Sequence, residues 1–141
     1  MIGALPATPG TNAPLPYPFD LDPFQKQAID VVERGQSLLL AAPTGAGKTV
    51  VAEAAIARAL RTGHSVIYTA PVKALSNQKH HDFGQLFGSQ NVGIMTGDVT
   101  ENDGAPLLVM TTEILHNMLV CRDLSRIERV SCLVFDEFHY L

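Results

Sequence analysis

Ser37-Leu38-Leu39-Leu40-Ala41-Ala42-Pro43-Thr44-Gly45-Ala46-Gly47-Lys48-Thr49 is an apolar run that meets a glycine-rich turn and then a helix-forming stretch. Residues 37–42 have the length and content of a buried strand. Residues 47–61 are apolar almost all round. Glu53, Arg58 and Arg61 share one narrow polar arc and Gly63 follows, the pattern of a mostly buried helix. The turn between them has the residue order that holds phosphate. Around Thr44, Gly45, Ala46 and Gly47, backbone N–H groups curl about phosphate oxygens. Lys48 reaches the β- and γ-phosphates, and the Thr49 hydroxyl holds Mg²⁺. The helix start adds its dipole and free N–H groups. The strict form of the motif has glycine where this chain has Ala42. An ordinary strand–helix turn is the plain alternative, and Gly-Lys-Thr in this strand–loop–helix context argues against it.

Working outward, the same two textures alternate. Short apolar runs at 65–70, 91–95, 106–110 and 131–135 read as further buried strands. Helical patterns cover 23–34 (stopped by Gly35), 73–87 and 112–120, and Asn102-Asp103-Gly104 marks a turn in the polar stretch 97–105. Strands alternating with crossover helices predict a parallel α/β sheet, whose ligands bind beyond the carboxyl ends of the strands. The last run ends in Asp136-Glu137-Phe138-His139, with Asp136 88 residues after Lys48. A strand-terminal Asp is the expected second half of a phosphate-loop site. Asp136 serves Mg²⁺, largely through water, and Glu137 orients and deprotonates the attacking water. Two solvated acids at a strand end are the bland alternative, which this context disfavours. His139 is open between a coupling role and a plain surface histidine.

Composition bounds the rest. Of 141 residues, 46% are apolar and 17% charged, which argues against disorder. The net charge of −4 leaves no global basic field, so any nucleic-acid contact is local. Cys121 and Cys132 lack metal-ligand spacing and point to a reduced, cytoplasmic protein without disulfides. No apolar run approaches the ~20 residues of a membrane span, and no signal peptide is visible. Residues 1–18 hold five prolines and two glycines and read as a flexible leader, leaving 19–141 as the folded domain. His80 and His81 tempt a metal reading, but adjacent histidines do not share a helical side.

Six segments in order carry a resemblance. Ala42–Thr49 with Asp136-Glu137-Phe138-His139 is similar to the DExH-box helicases of superfamily two. Thr69-Ala70-Pro71-Val72-Lys73-Ala74-Leu75-Ser76-Asn77-Gln78-Lys79 resembles motif Ia of the superkiller-type (antiviral, exosome-associated) RNA helicases. Met95–Thr100 and Met110–Leu115 resemble their next two motifs, and Tyr17–Ile29 their opening segment. The resemblance implies the first RecA-like domain of a motor that uses ATP to translocate along or unwind nucleic acid. It implies single-stranded RNA, rather than DNA, as the partner. Gln25 would read the adenine edge, with Phe19 beneath the ring. Pro71, Lys73, Asn77, Gly97, Asp98, Thr111 and Thr112 would contact the nucleic acid. Plain alternatives are a solvated Gln25, Phe19 as a hydrophobic staple and Thr112 as a helix cap. The chain stops two residues after His139, before the family's next motif, its second RecA-like domain and its arginine finger. The expectation is a domain incomplete at its C-terminus, inactive by itself, from a larger helicase. The alternatives are a DNA-directed helicase and a catalytically silent nucleotide-binding fragment; a small-molecule kinase leaves residues 72–79 and 111–113 unexplained.

Overall fold

Helix α1 begins where the chain makes it cheap to begin. Pro23 sits at the first helical position, where its missing N–H costs nothing. Gln25 reaches back one turn, and its Oε1 accepts from the Asp22 backbone N–H at 2.8 Å. The helix runs Pro23–Glu33 and stops before Gly35, whose φ of +73° is the left-handed conformation that ends helices. The computed structural model describes residues 20–41 and 47–137. The leader, Phe19, the loop residues Thr44, Gly45 and Ala46, and His139 lie outside the described residues.

Helix α2 (Lys48–Arg61) follows, and its all-round apolar character has a simple cause. One side packs Val51 and Ala54 against Ala28 and Ile29 of α1. The other side packs Ile56, Ala57 and Ala59 against the sheet. A helix sandwiched between two layers has little face left for polar residues. Its last turn is tied to α1 by a largely buried ion pair, Arg61 to Glu33 at 2.9 Å.

The sheet is built from β1 (Ser65–Ala70), β2 (Val92–Met95), β3 (Thr100–Glu101), β4 (Leu107–Thr111) and β5 (Val130–Phe135), in the order β3-β2-β4-β1-β5. All pairs are parallel except β2 with β3. Helices α3 (Lys73–Phe87) and α4 (Thr112–Val120) complete the fold. Side chains alternate across the pleat. Val66, Tyr68, Leu107 and Val109 face α2 together with Phe83 and Phe87 of α3. Ile67, Leu108 and Met110 face Leu115 and Met118 of α4. The sheet is therefore covered on both sides, as its aliphatic strands require.

Two expectations need correction, and a third gains an element. Residues 37–41 form no strand, and Leu39 is 74% exposed. A cleft of about 790 Å³ opens between this segment and β5, and among the described residues no strand pairs with it. Apolar content favours a strand, but only an adjacent ladder supplies its hydrogen bonds. Second, β5 is an edge strand, not a fully buried one. Leu133 (44%) and Phe135 (45%) are half exposed on the α4 side, because α4 packs mainly over β1 and β4. Third, the polar stretch after β2 contains β3 as well as the expected turn. Asn102 sits at φ +48° and its side-chain amide donates to the carbonyls of Gln90 and Val92, drawing the returning chain onto β2.

That return makes one glycine indispensable. A Cβ on Gly93 would lie 2.1 Å from the Asn102 carbonyl oxygen, a backbone atom that cannot swing away. Gly93→Ala is expected to lower stability by about 2 kcal/mol through this overpacking. A urea unfolding curve with an unchanged midpoint would contradict it.

Candidate nucleotide and nucleic-acid site

The site lies at the carboxyl ends of the parallel strands and at the start of α2. Gly47 caps α2 with φ +79°, and the reason is close approach: a Cβ there would sit 2.2 Å from Gln25 Nε2. Gln25 Nε2 instead donates to the Gly47 carbonyl at 3.1 Å. Gln25 is thus buried, only 4% exposed, with one end of its amide on the α1 start and the other on the phosphate-loop glycine. In this structure its amide spans two protein groups.

Lys48 and Thr49 are the first two residues of α2 and line the cleft together with Tyr68, Asp136 and Glu137. The two halves of the site, far apart in the chain, are brought together because α2 packs on β1 and on the neighbouring β5. The Asp136 backbone N–H donates to the Thr69 carbonyl at 3.0 Å, extending the β1–β5 ladder one step past the strand. The Tyr68 hydroxyl donates to Asp136 Oδ2 at 2.5 Å. Burial first, then that hydrogen bond and the charges of Asp136, Glu137 and Glu53, push the Tyr68 phenol far above its ordinary range, so it stays a donor. Glu137 adopts φ +52°, a left-handed backbone in a non-glycine residue, directly after the strand.

From the other side, the Lys79 ammonium of α3 donates to Thr49 Oγ1 at 3.3 Å. A positive group therefore already faces the hydroxyl expected to serve a cation. Thr49 and Asp136 offer oxygen donors, the set that suits Mg²⁺. Among the described residues no cluster of three or more His, Cys, Asp or Glu forms a separate metal site.

The residues expected to touch nucleic acid cluster beyond the same strand ends. Pro71 and Lys73 follow β1, Gly97 and Asp98 follow β2, and Thr111 and Thr112 join β4 to α4. Lys73 and Asp98 form an exposed ion pair, and Gly97 lies against the Lys73 side chain. Asn77 is exposed one turn further along α3. Thr112 Oγ1 donates to the Ala70 carbonyl at 3.4 Å, binding the β1 and β4 ends together. Thr111 is the residue at the helix cap position and is only 6% exposed. Cys121 and Cys132 are both free. No helix among the described residues is long and apolar enough to cross a membrane.

Sequence reasoning missed Tyr68 and the reach of Lys79. For Tyr68 a signal existed: a tyrosine in an otherwise aliphatic buried run must find a partner for its hydroxyl. Lys79 carries no such signal, because its partner depends on how α3 crosses α2.

A five-stranded, mostly parallel sheet with helices on both faces and Gly-Lys-Thr at the start of a helix that packs on it defines a RecA-like domain. Residues 22–141 match the model of the DEAD/DEAH box helicase family, and the chain belongs to that family. It is 53% identical over 134 residues to the ATP-dependent RNA helicase mtr4 of Schizosaccharomyces pombe, covering 92% of this chain and 12% of that protein. It is 53% identical over 125 residues to the antiviral helicase SKI2 of Saccharomyces cerevisiae, covering 89% of this chain and 10% of that protein. A probable helicase, HelY, of Mycobacterium tuberculosis is 50% identical over 124 residues, covering 88% of this chain and 14% of that protein. The chain thus spans 10–14% of the length of these curated relatives.

Proposed function

We propose that residues 19–141 serve as the ATP-binding first RecA-like domain of an RNA helicase that couples ATP hydrolysis to movement along single-stranded RNA. One observation carries the reading: Lys48 and Thr49 at the start of α2 share a cleft with Asp136 and Glu137 at the end of β5. The Schizosaccharomyces and Saccharomyces relatives, both helicases and one an RNA helicase, support the substrate class.

In this reading Lys48 and the loop amides around Thr44, Gly45, Ala46 and Gly47 hold the phosphates. Thr49 and Asp136 hold Mg²⁺, which when bound neutralises phosphate charge and polarises the γ-phosphoryl group. Glu137 takes the proton of the attacking water. Gln25 and Phe19 serve the adenine. The buried bridge from Gln25 to Gly47 supports a second duty for the amide, holding the loop glycine in its left-handed conformation. Lys73, Asn77, Thr112 and the backbone near Pro71, Gly97 and Thr111 hold phosphates of the strand, without sequence preference. Asp98 keeps Lys73 at that edge. The free cysteines support a reducing, cytoplasmic setting.

Fluorescence anisotropy with a labelled single-stranded RNA tests the surface. Lys73→Ala is expected to weaken binding and to reduce the slope of affinity against salt by about one phosphate contact. A salt slope unchanged in the variant would remove Lys73 from the interface. Single-stranded DNA competing as well as RNA would favour a DNA-directed helicase instead.

A further inference from the structure

Asp136 lies at the end of an edge strand with a half-exposed face, a poor place to hold a carboxylate still. Its backbone is anchored to Thr69, but that leaves the side-chain rotamer open. One group reaches it from the buried face of the sheet. Tyr68 occupies the β1 position paired with Val134, two residues before Asp136. Its ring is 1% exposed and packs edge-on against Phe83 of α3, centroids 5.0 Å apart. The ring therefore cannot move without opening the core between β1 and α3. Its hydroxyl donates to Oδ2 of Asp136.

We propose that Tyr68 is a positioning residue for the cation: it holds one carboxylate oxygen of Asp136 from inside the core so that the other is presented to Mg²⁺ or its water shell. The inference rests on the reading of Asp136 as the metal-side carboxylate. A carboxylate has two oxygens and about four acceptor directions, so accepting from Tyr68 does not consume its capacity for a cation. Partners that orient a ligand in this way typically matter about 10–100-fold in metal affinity. The arrangement also gives α3 a direct line to the metal. Phe83 fixes the tyrosine ring, and Lys79, one turn earlier on the same helix, faces Thr49.

The test measures ATP binding by the 141-residue chain in calorimetry, as a function of Mg²⁺ concentration and again in excess chelator. Tyr68→Phe keeps the ring and removes only the hydroxyl. It is expected to raise the Mg²⁺ concentration for half-maximal enhancement about tenfold, while affinity in chelator stays unchanged. Asp136→Asn is expected to raise it at least as much, and adding Tyr68→Phe to it is expected to change nothing further. A Tyr68→Phe midpoint equal to that of the parent, with Asp136→Asn shifted, would overturn the role of Tyr68 and leave the reading of Asp136 standing. An unshifted Asp136→Asn would overturn both. Equal losses with and without metal would mark Tyr68 as merely structural and overturn the proposal. The unmutated chain gives a measurement independent of whether Tyr68→Phe folds. The tyrosine Raman doublet is expected to show a strong-donor component that Asp136→Asn abolishes and that MgATP leaves in place. Its loss on MgATP binding would mean that the carboxylate abandons Tyr68 for the metal, which would overturn the proposal.

Discussion

In the proposed role of this domain, replacing Glu137 by Gln is expected to lower the RNA-stimulated ATP turnover of a helicase that carries it by roughly 10²–10⁴-fold while ATP still binds. The amide has nearly the shape of the carboxylate but cannot accept the proton of the attacking water. Glu137 stands at the turn directly after β5, next to Asp136, in a left-handed backbone conformation. Such outliers survive where the surrounding structure holds them, and here the anchor is the hydrogen bond from the Asp136 N–H to Thr69. Gln tolerates that conformation about as well as Glu, so the fold is expected to remain. Steady-state ATPase with a coupled assay and binding by calorimetry separate the two effects. Parental turnover in Glu137→Gln would show that another group activates the water. Loss of binding in step with turnover would show that Glu137 holds the nucleotide instead.

Lys48→Ala is expected to weaken ATP binding by one to two orders of magnitude. In the proposed role the ammonium makes a charge-assisted contact to phosphate, worth about 1.5–3 kcal/mol, and each ~1.4 kcal/mol is tenfold in affinity. Lys48 is the first residue of α2, so its removal costs no helical interior and Ala is a good helix former. Calorimetry with the folded variant checks it. Undiminished affinity would detach Lys48 from the phosphates and, with it, the reading of the glycine-rich turn.

Much of this molecule is legible in its residue order. β1 falls at Ser65–Ala70 and α3 at Lys73–Phe87 as the periodicity predicts, and β2, β4 and β5 shift by a residue or so at their ends. The candidate site is legible because its residue types have few other reasons to occur in that order: Gly-Lys-Thr after an apolar run, and Asp-Glu after another. Gln25 is only half legible. Its expected role toward adenine follows from the resemblance, but its two hydrogen bonds to Asp22 and Gly47 do not.

The information carried by the residue order is local: where helices start and stop, which runs are strand-like, and which side chains carry phosphate chemistry. Pro23, Gly35 and the alternation of apolar runs with helical stretches act within a few residues, so they need no partner to be read. Whatever depends on a neighbour distant in the chain is settled by packing. Packing leaves β5 at an edge with Leu133 and Phe135 half exposed, and residues 37–41, as apolar as any strand here, without a ladder. It also brings Tyr68 to Asp136 across 68 residues of sequence. A strand is completed by hydrogen bonds to an adjacent chain, and a buried hydroxyl by whichever acceptor the packing brings within reach. Neither is a property of the segment that carries it.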